Sequence, residues 1–406
     1  MSESRPTVAY VEYGTRPFRA ILVALFLAGF AVFSSLYCVQ PMMPFVAEYF
    51  AVSPTQSSFP LSFSTMALAF SLIFAGMLSD RYGRKPIMVF ALFSTSSLLL
   101  ISAMFPHWSF FLATRILLGL SVSGVASVAM TYIGEEIAQK DVGYAMGLYI
   151  SGTAIGGMSG RLIAGVLLDF STWQVATLII GCLNLGIAMV FYWILPASKH
   201  FQSYPMGLRR LSKMMRQNLA DPKLRLLFVQ GFILMGCFVS VYNYISYHLL
   251  DAPYFLSQTW IGLISIAYLS GIYSSPRAAA WGRKYGRENM LPLMILCMLA
   301  SLWIMQITSI WSIVFGLLLF SFSFFAAHST VSSWVAIQSI RYGAVGSAMY
   351  LFCYYFGSSV LGSFSGLVWE HFGWIGVGIE ISAVLLLGIA LALQLYRITR
   401  QEIAQT

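Results

Sequence analysis

"GMLSDRYGRKP", residues 76–86, joins two long apolar runs through a segment with one acid, Asp80, and three bases, Arg81, Arg84 and Lys85. Gly83 permits a backbone conformation closed to other residues, which a tight turn between helices needs. Asp80 can pair with the bases beside it or stand against a helix N-terminus. A second copy, "RKYGRE", occupies 283–288, an offset of 203 residues from "DRYGRK" at 80–85. Either stretch alone reads as a basic loop with a glycine turn. Two in register, each between apolar runs, point to a chain built from two similar halves.

Of the 406 residues 59% are hydrophobic and 9% charged, against about a quarter charged in ordinary soluble domains. Polar side chains are needed to cover the outside of a water-soluble fold, and this chain has too few. Its apolar runs approach the roughly 20 residues a helix needs to cross a bilayer. They place twelve spans at about 20–40, 58–78, 86–105, 108–133, 143–168, 174–195, 226–250, 259–280, 290–308, 311–335, 343–368 and 374–396. The fold class expected is an all-α membrane protein of twelve transmembrane helices.

The +9 charge invites a nucleic-acid reading, but the bases lie between spans, and the positive-inside rule accounts for them without nucleic acid. With the N-terminus inside, the inner segments and span ends hold 21 of the 23 Lys and Arg; Arg115 and Arg161 are the other two. The outer loops carry Glu48, Asp169, Asp251 and Glu370 and no base. Both termini are therefore expected in the cytoplasm. Five cysteines in or beside spans, without paired spacing, read as core residues rather than disulfides. The first span has no small-residue cleavage site after it and reads as an uncleaved helix.

The longest inter-span segment, 196–225, carries seven bases against the single acid Asp221. It divides the chain into a tail at 1–19, a bundle at 20–195, the basic cytoplasmic linker at 196–225, a second bundle at 226–396 and a tail at 397–406. The N-terminal tail, as far as Thr15, reads as polar and loosely held. A further match, "LLDFSTW" (167–173) against "LVWEHFGW" (367–374), falls after the fifth and eleventh spans. Internal repeats of this kind build transporter folds, with the substrate site at mid-depth between them.

Polar residues inside spans are costly and mark candidate sites. Arg115 and Arg161 each lie seven or eight residues from the outer face, roughly 10–12 Å deep at 1.5 Å per residue. Guanidinium keeps its charge and must find water or an anion. Two readings stand: both line an electropositive outer half of a cavity that takes an anionic substrate, or Arg161 bonds helix carbonyls across a packed glycine face. His328, in the tenth span, either carries a proton or is a neutral histidine bonded to a hydroxyl. Tyr242 and Asn243 in the seventh span are candidates for a pocket wall, and Glu380 reads as structural or neutral.

The loop Gly76, Asp80, Arg81, Gly83, Arg84, Lys85 resembles the signature of the major facilitator superfamily, Gly-x-Leu-Ala-Asp-Arg-x-Gly-Arg-Lys, with Ser79 in the alanine place. The resemblance implies two pseudo-symmetric six-helix bundles, latched by this loop in the outward-facing state. The second copy has Arg283 where Asp80 would stand, so the latch acid comes from the first half. "RILLGLSVSG" (115–124) is similar to the family's Arg-x-x-x-Gly pattern, associated with proton coupling. Gly143, Gly152, Gly156, Gly157 and Gly160 resemble the fifth-span motif of its exporters, with Gly157 in the place of a proline and Arg161 in that of the last glycine. "LYCVQPMMP" (36–44) and "FFAAHSTVSSW" (324–334) look most like the YnfM-type inner-membrane transporters of bacteria, close to the drug and sugar exporters.

The function expected is secondary active transport, a proton-coupled export of a small organic molecule by a monomer, with the lipid bilayer and protons as its other partners. No Gly-x4-Gly-Lys-Ser/Thr loop points to ATP. No catalytic residue, metal ligand set or cofactor motif is found, since His-Glu-x-x-His and Gly-x-Ser-x-Gly are both missing from the sequence. A membrane-embedded enzyme, a channel, and uniport or import remain the rival readings.

Overall fold

The computed structural model describes residues 10–105, 107–201, 207–342 and 345–405. The first crossing is α1 (Arg16–Tyr37), continued by α2 (Val39–Phe50). The second is α3 (Pro54–Ser57) with α4 (Phe59–Tyr82), and the third is α5 (Arg84–Met104). The fourth is α6 (Trp108–Ala126) with α7 (Ala129–Glu136); α8 (Gln139–Leu168) and α9 (Trp173–Ile194) complete the half. After α10 (Leu208–Ala220), the second half comprises α11 (Pro222–Leu250), α12 (Gln258–Ile264) with α13 (Tyr268–Tyr285), α14 (Arg287–Ile304), α15 (Ile310–Gln338) and α16 (Val345–Gln405).

Ten helical stretches among the described residues are long and apolar enough to cross a bilayer, and α12–α13 is not among them. Its serines and Arg277 dilute an otherwise helical run. One of the ten, within α16, holds two crossings. Glu380 accepts a hydrogen bond from Ser365 at 3.0 Å, whereas fifteen residues of straight helix would separate them by roughly 22 Å. The chain reverses at Gly373, whose φ of 60° belongs to the left-handed region. Ten stretches, one of them double, together with α12–α13, make twelve crossings.

Local chemistry sets the boundaries. Thr15 and Thr172 accept from the first-turn N–H groups of α1 and α9, and Asp221 does so at α11. A reciprocal Ser53–Gln56 capping box opens α3, so the backbone donors a helix start leaves over are met. Gly83 and Gly286, at φ of 96° and 85°, turn the chain in the two copies of the opening motif. The first crossing is interrupted at Cys38, upstream of Pro41, which has no N–H to give.

Two stretches depart from expectation. Tyr10–Thr15 are tied down: Val11 donates to the Glu136 carbonyl at 2.9 Å and accepts from Ala138 at 3.0 Å, and the Tyr13 N–H donates to Asp141 at 3.0 Å. Part of the linker is helical, with α10 burying Leu211 and turning Ser212 and Lys213 outward; linker residues 202–206 and tail residues 1–9 lie outside the described ones. At the other end α16 continues through the 397–406 segment as far as Gln405.

Close packing within each half uses glycine. On α8, Gly152, Gly156 and Gly160 lie against the α1 backbone at Phe26, Phe30 and Ser34; a Cβ on Gly160 would stand 2.6 Å from the Ser34 carbonyl oxygen. On α16, Gly357 lies likewise against Phe232 of α11, 201 residues on from Gly156. Small residues are what let helix backbones approach in a bilayer, where no hydrophobic force separates helix from lipid.

Candidate functional site

The halves are sealed together on the face opposite the termini. Thr65 bonds Ser359 at 2.7 Å, Ser363 donates to Ser62 at 2.8 Å, and Ser57 bonds Tyr247 at 2.7 Å. Two carboxylates sit at the rim. Asp169, just past α8, accepts from the N–H groups of Gln258 and Thr259 at 2.9 Å each, at the start of α12. Glu370 accepts from the Thr55 N–H at 2.8 Å, at the start of α3. The two acids are 201 residues apart in the chain and perform the same contact in opposite directions across the halves. Burial alone would raise the Asp169 carboxyl, but hydrogen bonds from Thr259, Gln258 and Ser257 outweigh it and hold it below the usual range.

Beneath the seal lies a cavity of about 400 Å³, within the range of small-molecule pockets. Its lining runs from Tyr37, Gly157 and Tyr268 at mid-depth to Met130, Ser332 and Ser347 near the face that bears the termini. The described conformation is therefore closed on one face and hollow toward the other.

Arg161 stands behind the closed end of this cavity, 2% exposed. Its Nε donates to Gln40 Oε1 and its Nη1 to the Gly157 carbonyl at 2.7 Å. The guanidinium lies 4.4 Å from the Tyr37 ring centroid, 4.8 Å from that of Tyr268 and 5.4 Å from that of Tyr242. Desolvated cation–π contacts of this kind are worth about 2 kcal/mol or more each. Among the described residues Nη2 has no hydrogen-bond partner, and no carboxylate forms an ion pair with Arg161. Gln40 passes the contact across the halves, its Nε2 donating to Asn243 Oδ1 at 2.6 Å. Tyr242 bonds Ser321 at 2.9 Å.

Arg115 is placed differently from the expectation of a second cavity cation. It is 1% exposed, and its guanidinium donates to the carbonyls of Pro60 at 3.3 Å, Ser35 at 3.1 Å and Leu36 at 2.7 Å. Those carbonyls belong to the start of α4 and to the interruption after α1, so Arg115 ties three helices of one half together. It does not line the cavity. Equal depth on neighbouring spans does not fix which way around the helix a side chain points.

His328 lines the cavity, with Nδ1 2.7 Å from the Tyr350 hydroxyl and its ring 4.6 Å from that of Tyr354. Glu380 lies elsewhere, on Ser365, whose hydroxyl oxygen also lies 2.8 Å from the Ser240 hydroxyl. In the opening motif Arg84 bonds Asp80 at 2.5 Å, Ser79 at 2.7 Å and both oxygens of Glu135 at 2.6 and 2.9 Å. Lys85 donates to the Leu195 carbonyl, and Arg81 faces the Tyr82 ring. Gly76 and Gly143 have open space around them; Gly157 faces Arg161 and Tyr37.

Sequence reasoning missed Gln40 and the matching rim contacts of Asp169 and Glu370. Gln40 left a signal, an amide inside an apolar run beside Pro41. The acids left one too, in the 167–173 and 367–374 match.

The sequence model described as the Major Facilitator Superfamily matches residues 25–362. The chain is 45% identical over 388 residues to the inner membrane transport protein YnfM of Escherichia coli K12, covering 96% of this chain and 93% of the relative. It is 40% identical over 386 residues to the uncharacterized MFS-type transporter YybF of Bacillus subtilis 168, covering 95% of each. Among solved structures, a bacterial homolog of the human lysosomal transporter Spinster, inward-facing and unoccupied, aligns with a TM-score of 0.75 at 16% identity, over 95% of this chain and 98% of that one.

Proposed function

The chain belongs to the major facilitator superfamily, and from that premise we propose that it is a proton-coupled exporter of a small organic anion. It works by alternating access between bundles 20–195 and 226–396, joined by the 196–225 linker. The observation that carries the anion is Arg161, a buried cation with an unbonded nitrogen behind the wall of a cavity sealed on one face. A permanent charge at that depth is costly unless something uses it, and a cargo with a carboxylate would. The termini and linker lie in the cytoplasm of a bacterial cell, so the cavity is loaded from inside. The protein acts as a monomer in the inner membrane.

Counterflow in liposomes under an imposed pH gradient tests this. Labelled substrate should exchange against its own gradient, and an inside-out proton drive should set the direction. Downhill flux without exchange would indicate a channel, and indifference to pH a uniporter. The topology is tested with a cysteine at Ser212, exposed on α10, in an otherwise cysteine-free protein. An impermeant maleimide added outside intact cells should leave it unlabelled; labelling would reverse the orientation.

The opening motif gives a kinetic expectation. In this conformation Arg84 holds Asp80 within the first half, whereas the family's latch engages in the other state. Asp80→Asn should leave substrate affinity within about twofold while slowing turnover about tenfold, because it acts on one conformation and not on the site. Undiminished transport at normal expression would remove the latch role.

A further inference from the structure

The wall of the cavity narrows what the cargo can be. Tyr37, Tyr149, Phe238, Tyr268, Phe324 and Tyr354 line it, and among the described residues none that lines it is Asp, Glu, Lys or Arg. The rings are mutually packed: Phe238 and Phe324 stack at 3.8 Å, and Phe238 meets Tyr268 edge-on at 5.3 Å. Tyr37 and Tyr268 both line the cavity and hold the Arg161 guanidinium. The cation is therefore one ring deep behind the closed end.

Three cargo chemistries can be weighed against this wall. A sugar needs many directed polar side chains, and aside from tyrosines and His328 the described lining residues supply only Thr153, Ser275, Ser329, Ser332 and Ser347. An organic cation would find rings to lie on but no carboxylate to pair with, and Arg161 would repel it. An aromatic acid meets both features. Its ring stacks in the box of rings, where offset and edge-on pairs are each worth about 1 kcal/mol beyond area burial. Its carboxylate supplies the acceptor that Nη2 lacks. To reach Nη2 it must displace Tyr37 or Tyr268, and the ligand's own ring then returns a π face to the cavity wall.

Resting on the transport reading, we propose that this cavity is a binding site for planar aromatic carboxylates, with Arg161 as the carboxylate-reading residue. The probes are 2-naphthoate, its neutral isostere 2-naphthamide, and the saturated decalin-2-carboxylate, titrated calorimetrically into purified protein. A hydrogen bond to a charged group predicts naphthoate about tenfold or more tighter than naphthamide. Decalin-2-carboxylate should bind severalfold more weakly than naphthoate. The acid–amide difference should vanish in Arg161→Gln and persist in part in Arg161→Lys, where the charge survives without the fork.

Equal affinity of acid and amide in the wild type overturns the carboxylate assignment without any variant having to fold. Equal affinity of the aromatic and saturated acids overturns the aromatic one. Counterflow of some other solute by a protein that does not bind 2-naphthoate sinks this inference and leaves transport standing. Discriminating binding without flux does the reverse.

Discussion

Replacing both rim carboxylates, Asp169→Ala with Glu370→Ala, should open the sealed face. Together they accept three backbone N–H bonds across the halves, all at helix starts. A carboxylate at a solvated helix N-terminus contributes about 1 kcal/mol, and less in high salt. Both acids are exposed, so about 2 kcal/mol for the pair is the reasonable sum, a roughly thirtyfold shift in the ratio of open to closed. The donors left behind lose little, because opening delivers them to water. A cysteine at Ser62, 2% exposed beneath the rim, reports the change. Its labelling from outside should quicken about thirtyfold in the double variant, and each single variant should supply about half of the free energy. An unchanged labelling rate would mean that the serine and threonine bonds below hold the seal alone.

The same contact carries a pH dependence whose sign follows from Asp169. Its carboxyl is held below the usual range in the sealed state, so its contribution is present above its ordinary value, about 3.9, and is lost as the pH falls through the lowered one. Acid outside therefore favours opening, but only below about pH 4. At milder pH the rim stays charged, and the protons expected to drive transport must act elsewhere. Ser62 labelling that rose between pH 7 and pH 5 would contradict this account.

The opening motif was readable because its chemistry is local. A glycine at positive φ, flanked by bases that must stay out of lipid, announces a turn on one face, and its second copy announces the second half. The 167–173 and 367–374 match was equally visible, yet its meaning was not. Asp169 acts on α12 and Glu370 on α3, and only the crossed packing of the halves brings those pairs together. The glycines at 152, 156 and 160 were legible as a packing face, whereas the partner they lie on, α1, was not. Gln40 stood unremarked because its signal, a single amide beside Pro41 in an apolar run, has no repeat or spacing to say what it bonds. The eighth crossing, α12–α13, had the weakest apolar signal of the twelve and carries Tyr268, one of the rings on Arg161.

Arg115 and Arg161 show most sharply what depth along a helix leaves undecided, and their substitutions should part company. Arg115→Leu removes three hydrogen bonds from a charged group at once, each worth about 1.5–3 kcal/mol, although Ser64 and Cys38 still donate to the Pro60 and Ser35 carbonyls. A sum of several kcal/mol is a large share of the 5–15 kcal/mol typical of folded domains. The variant should give little monodisperse protein and a markedly lower melting temperature. Arg161→Gln surrenders the bond to Gly157, the contact to Gln40 and three cation–π contacts, but it also removes the cost of burying a cation without a carboxylate. The two offset, so it should fold and melt near wild type. What it loses is the cation, and transport should fall about tenfold or more, equivalent to about 1.4 kcal/mol or more in the barrier. Arg161→Lys should keep part of that activity. The measurements are size-exclusion profile, melting curve and counterflow on all three proteins. If Arg161→Gln transports like wild type, the residue only packs its helix and the anion argument fails. If Arg115→Leu is stable but uncoupled from the pH gradient, then the proton role implied by its Arg-x-x-x-Gly pattern outweighs the scaffold role drawn from its three carbonyl partners.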